Sequence, residues 1–380
     1  MFAKIYYFCA MRFLTADYLF PLHRAPIKEG VLQISDKGEV LAIFTERKDL
    51  PKEKLEIFHG ILCPGFVNTH CHLELSHMLD QLPSKKGLIE FILNIQEKRI
   101  SDADIIKQAI IKADYMMKKN GIVGVGDIAN TTDSFFIKKD SRITYHTFIE
   151  VFGIDPQKAE KIFNSALGLL KECPSKCSLT PHATYSVSSN LYSRIREHNK
   201  GEVISIHNQE TSTEDRFFLE GEGELYEYIR KFGNVEISGK RALQTILMQL
   251  PKKAPIILVH NTFITKDDIK WVSKNKYSTY YCTCPKANLY IEDSLPDYSV
   301  FDSNYLCVGT DSLASNNNLS ILEELLIIKE NSSFDINTLL KIASKNGAEA
   351  LGMSNLGTFE KGKIPGVNLI KDFKKVVVID

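Results

Sequence analysis

The sequence has no surplus of charge: 47 Lys and Arg balance 47 Asp and Glu across 380 residues. A balanced chain lacks the basic footprint that nucleic acid or an anionic membrane surface attracts, so the default partner is a small molecule or another protein. Apolar runs are too short for the ~18 residues that a membrane-spanning helix requires. Eight cysteines, irregularly spaced in so long a chain, do not make a disulfide framework and suit reduced thiols in a cytoplasmic protein. Cys282 and Cys284 form a C-x-C without a second pair, too little for a structural zinc knuckle. Internal repeats, low-complexity tracts and a glycine-rich phosphate fingerprint are all missing. Residues 1–10 (MFAKIYYFCA) lack the long clean apolar stretch and cleavage site of a signal peptide, and read as an extension upstream of a strand starting at Met11.

What is present is alternation. From about residue 61, eight short β-branched and apolar runs appear: FVNTH (66–70), IVGVGDI (122–128), ITYHTFIEVF (143–152), SLTPHA (178–183), VISIHN (203–208), IILVHN (256–261), YSTYYCTC (277–284) and YLCVGTD (305–311). Stretches of helical period such as ADIIKQAIIKADYMMKKN separate them. Eight strand–helix units with right-handed crossovers predict an α/β fold, a (β/α)8 TIM barrel over residues 61–355. Residues 1–60 and 356–380 read differently. VLQISDKGEVLAIF is a hairpin pattern turning near Asp36–Gly38, and GVNLI and KKVVVID are two further strands. Both chain ends are expected to build one small flanking β-sandwich.

His70 and His72 lie two apart at the end of the first barrel strand, so both side chains point into the barrel mouth. With 10 His in the chain, chance alone supplies such a pair in roughly one chain in four, and two core or surface histidines would explain it. Position raises its weight. His207 ends the fifth strand, His260 the sixth and Asp311 the eighth, and barrel active sites gather at these C-terminal ends. Such nitrogen and carboxylate donors suit Zn²⁺ or another first-row divalent ion. Glu210, three residues past His207, is placed to reach a metal-held water without ligating the ion. Glu150 ends the third strand and faces the same mouth, with a substrate contact or a structural hydrogen bond as its two readings. Cys71, between the two histidines, points away. Residues 211–240, with Phe217, Phe218, Gly221 and Gly223, read equally as a lid or as an ordinary amphipathic helix.

The segments PGFVNTHCHLELS, PHATYSVSS, HNQE, LVHNT and GTDSLASNNNLSILEE resemble, in order, those of the amidohydrolase superfamily, in its aromatic-base deaminase and chlorohydrolase group. That group includes S-adenosylhomocysteine, methylthioadenosine, aminodeoxyfutalosine and guanine deaminases. The resemblance spans about residues 60 to 365. It implies one divalent ion, zinc first and iron or manganese next, held by His70, His72, His207 and Asp311. It further implies Glu210 and His260, with Asp311, as the catalytic groups, and His182 as a substrate contact. The fourth strand ends in Pro181–His182 and not in the lysine that bridges two metals in binuclear members, so a mononuclear site follows. Two features depart from the pattern. Asn368 stands where the family's return strand has Asp, an effect expected to stay within the flanking sandwich. Glu74, just after HCHL, is not general among the deaminases and is assigned to substrate hydroxyls.

The expected activity is hydrolytic deamination of an exocyclic amine on an aromatic ring, an adenine-type nucleoside first, with metal-activated water as nucleophile. The alternatives are hydrolysis of an amide, cyclic ureide or chlorinated triazine, and an inactive binding protein. The expected partner is a small-molecule substrate, with neither nucleic acid nor membrane, and a homodimer is compatible with the sequence.

Overall fold

The structure is a computed structural model that describes residues 11–48, 50 and 54–379. The proposed upstream extension at 1–10 lies outside the described residues. Eight parallel strands form two four-stranded arcs. The first arc holds Phe66–Cys71, Ile122–Ala129, Thr144–Val151 and Lys176–Pro181. The second holds Ile204–Asn208, Ile256–His260, Thr279–Thr283 and Leu306–Val308. Each coincides with one of the eight sequence runs, the first two one residue longer, the fourth shifted two residues toward the N-terminus and the others trimmed by one to three residues at an end. Parallel bridges Ala183–His207 and Cys71–Asp311 join the arcs into a closed barrel. At the second seam the backbone N–H groups of Thr310 and Asp311 both donate to the His70 carbonyl at 3.1 Å.

The first, fifth, sixth and eighth strands are buried at every residue, as expected where helices cover the outside and packed side chains fill the inside. Gly309 makes the second seam sterically feasible. A Cβ there would lie 2.8 Å from the His70 carbonyl oxygen, so any larger residue would push the eighth strand off the first. The helix Ala103–Lys119 shows how the outer layer forms. Asp102 caps it by accepting from the Asp104 N–H, and Ile110, Ala113 and Met117 make its buried stripe. Asp114 on that stripe is satisfied by Ser141 Oγ (2.6 Å) and Tyr145 Oη (2.7 Å).

Two further sheets flank the barrel. One orders Val40–Phe44, Val31–Ile34, Arg12–Thr15 and Leu55–Ile57. The other orders Lys375–Val378, Val367–Lys371, Ile61–Pro64, Tyr18–Leu19 and Ile27–Lys28. Leu14, Leu32, Leu62 and Leu369 belong to one buried cluster between them. Ile61–Pro64 pairs antiparallel with Val367–Lys371, so the flanking sheet extends four residues past the boundary drawn at residue 60. Asn368 is not confined to this sandwich either: its Nδ2 donates to the Gly121 carbonyl at 2.9 Å and so ties the sheet to the entry of the second barrel strand. Within 211–240, Phe217 and Phe218 are buried in the helix Thr213–Glu220 and serve as core. Tyr228, Ile229 and Phe232 border the barrel mouth.

Candidate metal centre

The two-residue spacing of His70 and His72 brings their Nε2 atoms to 3.0 Å of each other. Asp311 Oδ1, carried across the second seam, lies 3.6 Å from His70 Nε2 and 3.4 Å from His72 Nε2. His207 arrives from the fifth strand, and ligand atoms of His70, His72 and His207 all fall within 4.8 Å of one another. His207 Nδ1 sits 2.7 Å from the His182 carbonyl; an acceptor there assigns the proton to Nδ1 and turns the Nε2 lone pair inward.

Protonation agrees with a cation-binding set. Burial, with His70 next, pushes His72 down to about 3. Burial and then His182 hold His207 well below the usual imidazole range. Burial pushes Asp311 upward, but the neighbouring His70, His72 and His260 outweigh it and hold the carboxylate well below its usual range. Neutral imidazole lone pairs and an ionised oxygen converging in a buried space repel one another unless a cation lies between them. This donor set fits a divalent ion.

Glu210 and His260 flank the cluster. His260 Nε2 is 3.6 Å from Glu210 Oε1, and its Nδ1 lies 2.8 Å from Asn288 Oδ1. An amide oxygen only accepts, so Nδ1 carries the proton and Nε2 faces the site as a base. Burial, then Asp311 and Glu292, push Glu210 well above the usual carboxylate range, the direction that favours its protonated form. The Glu214 carboxylate accepts from three successive backbone N–H groups, Gln209 (3.1 Å), Glu210 (2.7 Å) and Thr211 (3.4 Å), and pins the loop that carries Glu210. Gln209, His260, Asn261 and Asp311 all have positive φ, from 45° to 69°. Strained backbone at three strand ends is a common mark of a functional site.

A cavity of about 390 Å³ opens over the centre and is lined by His72, Glu74, Glu150, His182, Glu210 and His260 among others. His182 Nδ1 lies 2.8 Å from Ser186 Oγ, and burial pushes the ring down to about 4. Glu74 also lines the cavity, and its carboxylate accepts from Asn130 N, Thr131 N and Thr131 Oγ1, each at 2.9 Å, so it clamps the loop after the second strand. Glu150 shows the opposite pattern. Asn130 Nδ2 donates to Oε2 at 3.0 Å, while buried Oε1 has no hydrogen-bond partner. Oε1 lies 3.8 Å from His207 Nδ1, and Glu150, His182 and His207 form a second group with ligand atoms within 4.8 Å.

Several supports escaped the sequence. Ser315 Oγ donates to Asp311 Oδ2 at 2.5 Å, four residues on in GTDSLAS. Asn288, which orients His260, and the fully buried ion pair of Lys138 with Asp127 (2.6 Å) come from distant segments without a local signal. Asp127 Oδ1 also accepts the Leu73 N–H at 2.8 Å and so fixes the chain just past His72.

Residues 61–379 match the amidohydrolase family. A similar sequence is the aminodeoxyfutalosine deaminase of Deinococcus radiodurans, 26% identical over 374 residues that cover 90% of this chain and 86% of the relative. Among solved structures, the fold resembles Helicobacter pylori aminofutalosine deaminase in complex with methylthio-coformycin (TM-score 0.82, 22% identity, 96% of this chain and 93% of that one). It also resembles an adenosine deaminase from Xanthomonas campestris with bound zinc (TM-score 0.72, 18% identity, 94% and 84%). At such identities the structural likeness speaks for the fold.

Proposed function

This chain belongs to the amidohydrolase family, and from that premise we propose that it is a metal-dependent hydrolase that removes the exocyclic amine of an adenine-type nucleoside as ammonia. The observation that carries this reading is the placement of buried Glu210 and His260, 3.6 Å apart, directly beside the four-donor centre. The names of the deaminase relatives support it. His70, His72, His207 and Asp311 are the groups that would hold one ion; zinc suits three nitrogens and one oxygen, and iron or manganese accept the same donors. When bound, such an ion supplies a water acidified from 15.7 toward about 7–9.

The residues divide the proton work. His260 Nε2, left as the unprotonated nitrogen because Asn288 holds the proton on Nδ1 and burial disfavours the imidazolium, takes the proton of the attacking water with Asp311. Glu210 donates to the ring nitrogen next to the attacked carbon, and a proton then passes to the departing amine. The products are the ring carbonyl and ammonia. His182 meets the ring or sugar, and the free Glu150 Oε1 is the acceptor for a substrate hydroxyl, the task first assigned to Glu74. Ammonia release from adenosine, 5′-deoxyadenosine, guanine and atrazine by metal-analysed protein tests the reading. Glu210→Gln is expected to bind metal normally and lose at least tenfold in turnover. Release from guanine or atrazine with none from any adenine nucleoside would overturn it.

A further inference from the structure

Two residues of the centre stand on left-handed backbone, His260 at φ 69° and Asp311 at φ 56°, a conformation that costs free energy unless the surroundings hold it. Each is gripped by an asparagine. Asn288 holds His260 at two points, with Oδ1 2.8 Å from the ring Nδ1 and Nδ2 donating to the His260 carbonyl at 3.5 Å. The peptide joining Thr310 to Asp311 is held at both ends. Its N–H donates to the His70 carbonyl at 3.1 Å, and its C=O accepts from Asn316 Nδ2 at 2.8 Å.

The two grips come from different segments, and both lead to one carboxylate. Glu324 lies on the helix Ile321–Glu330, is fully buried and does not line the cavity. Its Oε1 also accepts from Asn316 Nδ2 at 2.8 Å, so that amide nitrogen spans Glu324 and the Thr310 carbonyl. Its Oε2 accepts the Lys286 N–H at 2.8 Å, in the first turn of the helix Pro285–Glu292 that carries Asn288. Pro285 has no N–H, so Lys286 presents the first donor of that turn, and a carboxylate there also meets the positive end of the helix.

We propose that Glu324 is a positioning residue that keeps His260 and Asp311 in register with each other, through the Asn288 helix on one side and Asn316 on the other. It touches neither the ion nor the substrate. This inference rests on the deaminase reading of the same site for its effect on rate, and on Asp311 as a ligand for its effect on metal affinity. A buried carboxylate with a structural task only offers a comparison: Asp114 joins the helix Ala103–Lys119 to Ser141 and Tyr145, and its hydrogen bonds reach no residue of the centre.

The test sets Glu324→Ala, which severs both ties, beside Asp114→Ala. Zinc affinity of the metal-free protein is read by competition with a chelator, and kcat and KM for adenosine and 5′-deoxyadenosine at saturating zinc. Supports behind a metal ligand typically carry about tenfold to a hundredfold in affinity or activity. Glu324→Ala should therefore weaken zinc binding and lower kcat by about that much each, with KM within about twofold. Asp114→Ala should lower the melting temperature and leave zinc affinity and kcat unchanged. If Glu324→Ala does not fold, Glu324→Gln carries the test: its amide keeps one acceptor and turns a donor against the other partner, so zinc affinity or kcat should fall by about fivefold or more. A folded Glu324 variant with zinc affinity and kcat both unchanged would overturn the proposal, and so would equal losses in Asp114→Ala. If no nucleoside is deaminated by the unsubstituted enzyme, the deaminase reading fails by itself, and the zinc affinities still decide whether Glu324 positions Asp311.

Discussion

Replacing Glu214 by Gln probes how the site is held without touching a ligand or a proton-transfer group. The side chain is 1% exposed, and its two oxygens serve the N–H groups of residues 209, 210 and 211. An amide keeps one oxygen for Glu210 and Thr211 and turns its NH₂ toward the Gln209 N–H, donor against donor. One bond is lost and one buried donor is orphaned, which costs about 1–3 kcal/mol. In a protein of this size that is a fall of a few degrees in Tm. Gln209, already at φ 45°, is the residue freed to relax, and Glu210 follows it. A displacement of ~1 Å of a catalytic group costs on the order of 100-fold in rate. We therefore expect kcat to drop about tenfold to a hundredfold, with one metal per chain retained and little change in KM. Metal analysis, thermal melts and steady-state ammonia release measure the three quantities. A variant with lowered Tm and intact kcat would show that Glu214 stabilises the loop without positioning Glu210. Loss of the metal would show that the loop instead secures His207.

Two other predictions follow from the same geometry. His70→Ala, His72→Ala and His207→Ala should each lower metal occupancy well below one per chain while circular dichroism stays unchanged, because the barrel core is packed independently of the centre; two tightly bound ions per chain would refute the single-ion assignment. Glu150→Gln should raise KM for a nucleoside more than for the free base, whereas Glu74→Ala should lower stability by orphaning the Asn130 and Thr131 donors and affect both substrates alike; the reverse pattern would restore Glu74 as the hydroxyl acceptor.

Local periodicity carried much of this protein in its sequence. A strand repeats every two residues, so HxH at residues 70–72 could be assigned to one face, and eight apolar runs spaced by helices called for a barrel before any coordinate was known. The same rule placed His207, His260, Asp311 and Glu150 at strand ends. Side-chain partners obey no such rule. Glu74 and Glu150 are both acidic, buried and at the mouth, yet the loop at 130–131 consumes the first and leaves Oε1 of the second free. That choice depends on how a loop after the second strand folds back over the first. Asp311 reaches His70 only because Gly309 lets the eighth strand close on the first, joining residues about 240 apart in the chain. The tautomers of His207 and His260 are likewise set by a carbonyl at His182 and an amide at Asn288, on other strands and helices. Sequence spacing determined which residue types face the mouth; barrel closure and long-range hydrogen bonds decided which of them remain free to act, because satisfaction of a buried polar atom is a property of its neighbours in space.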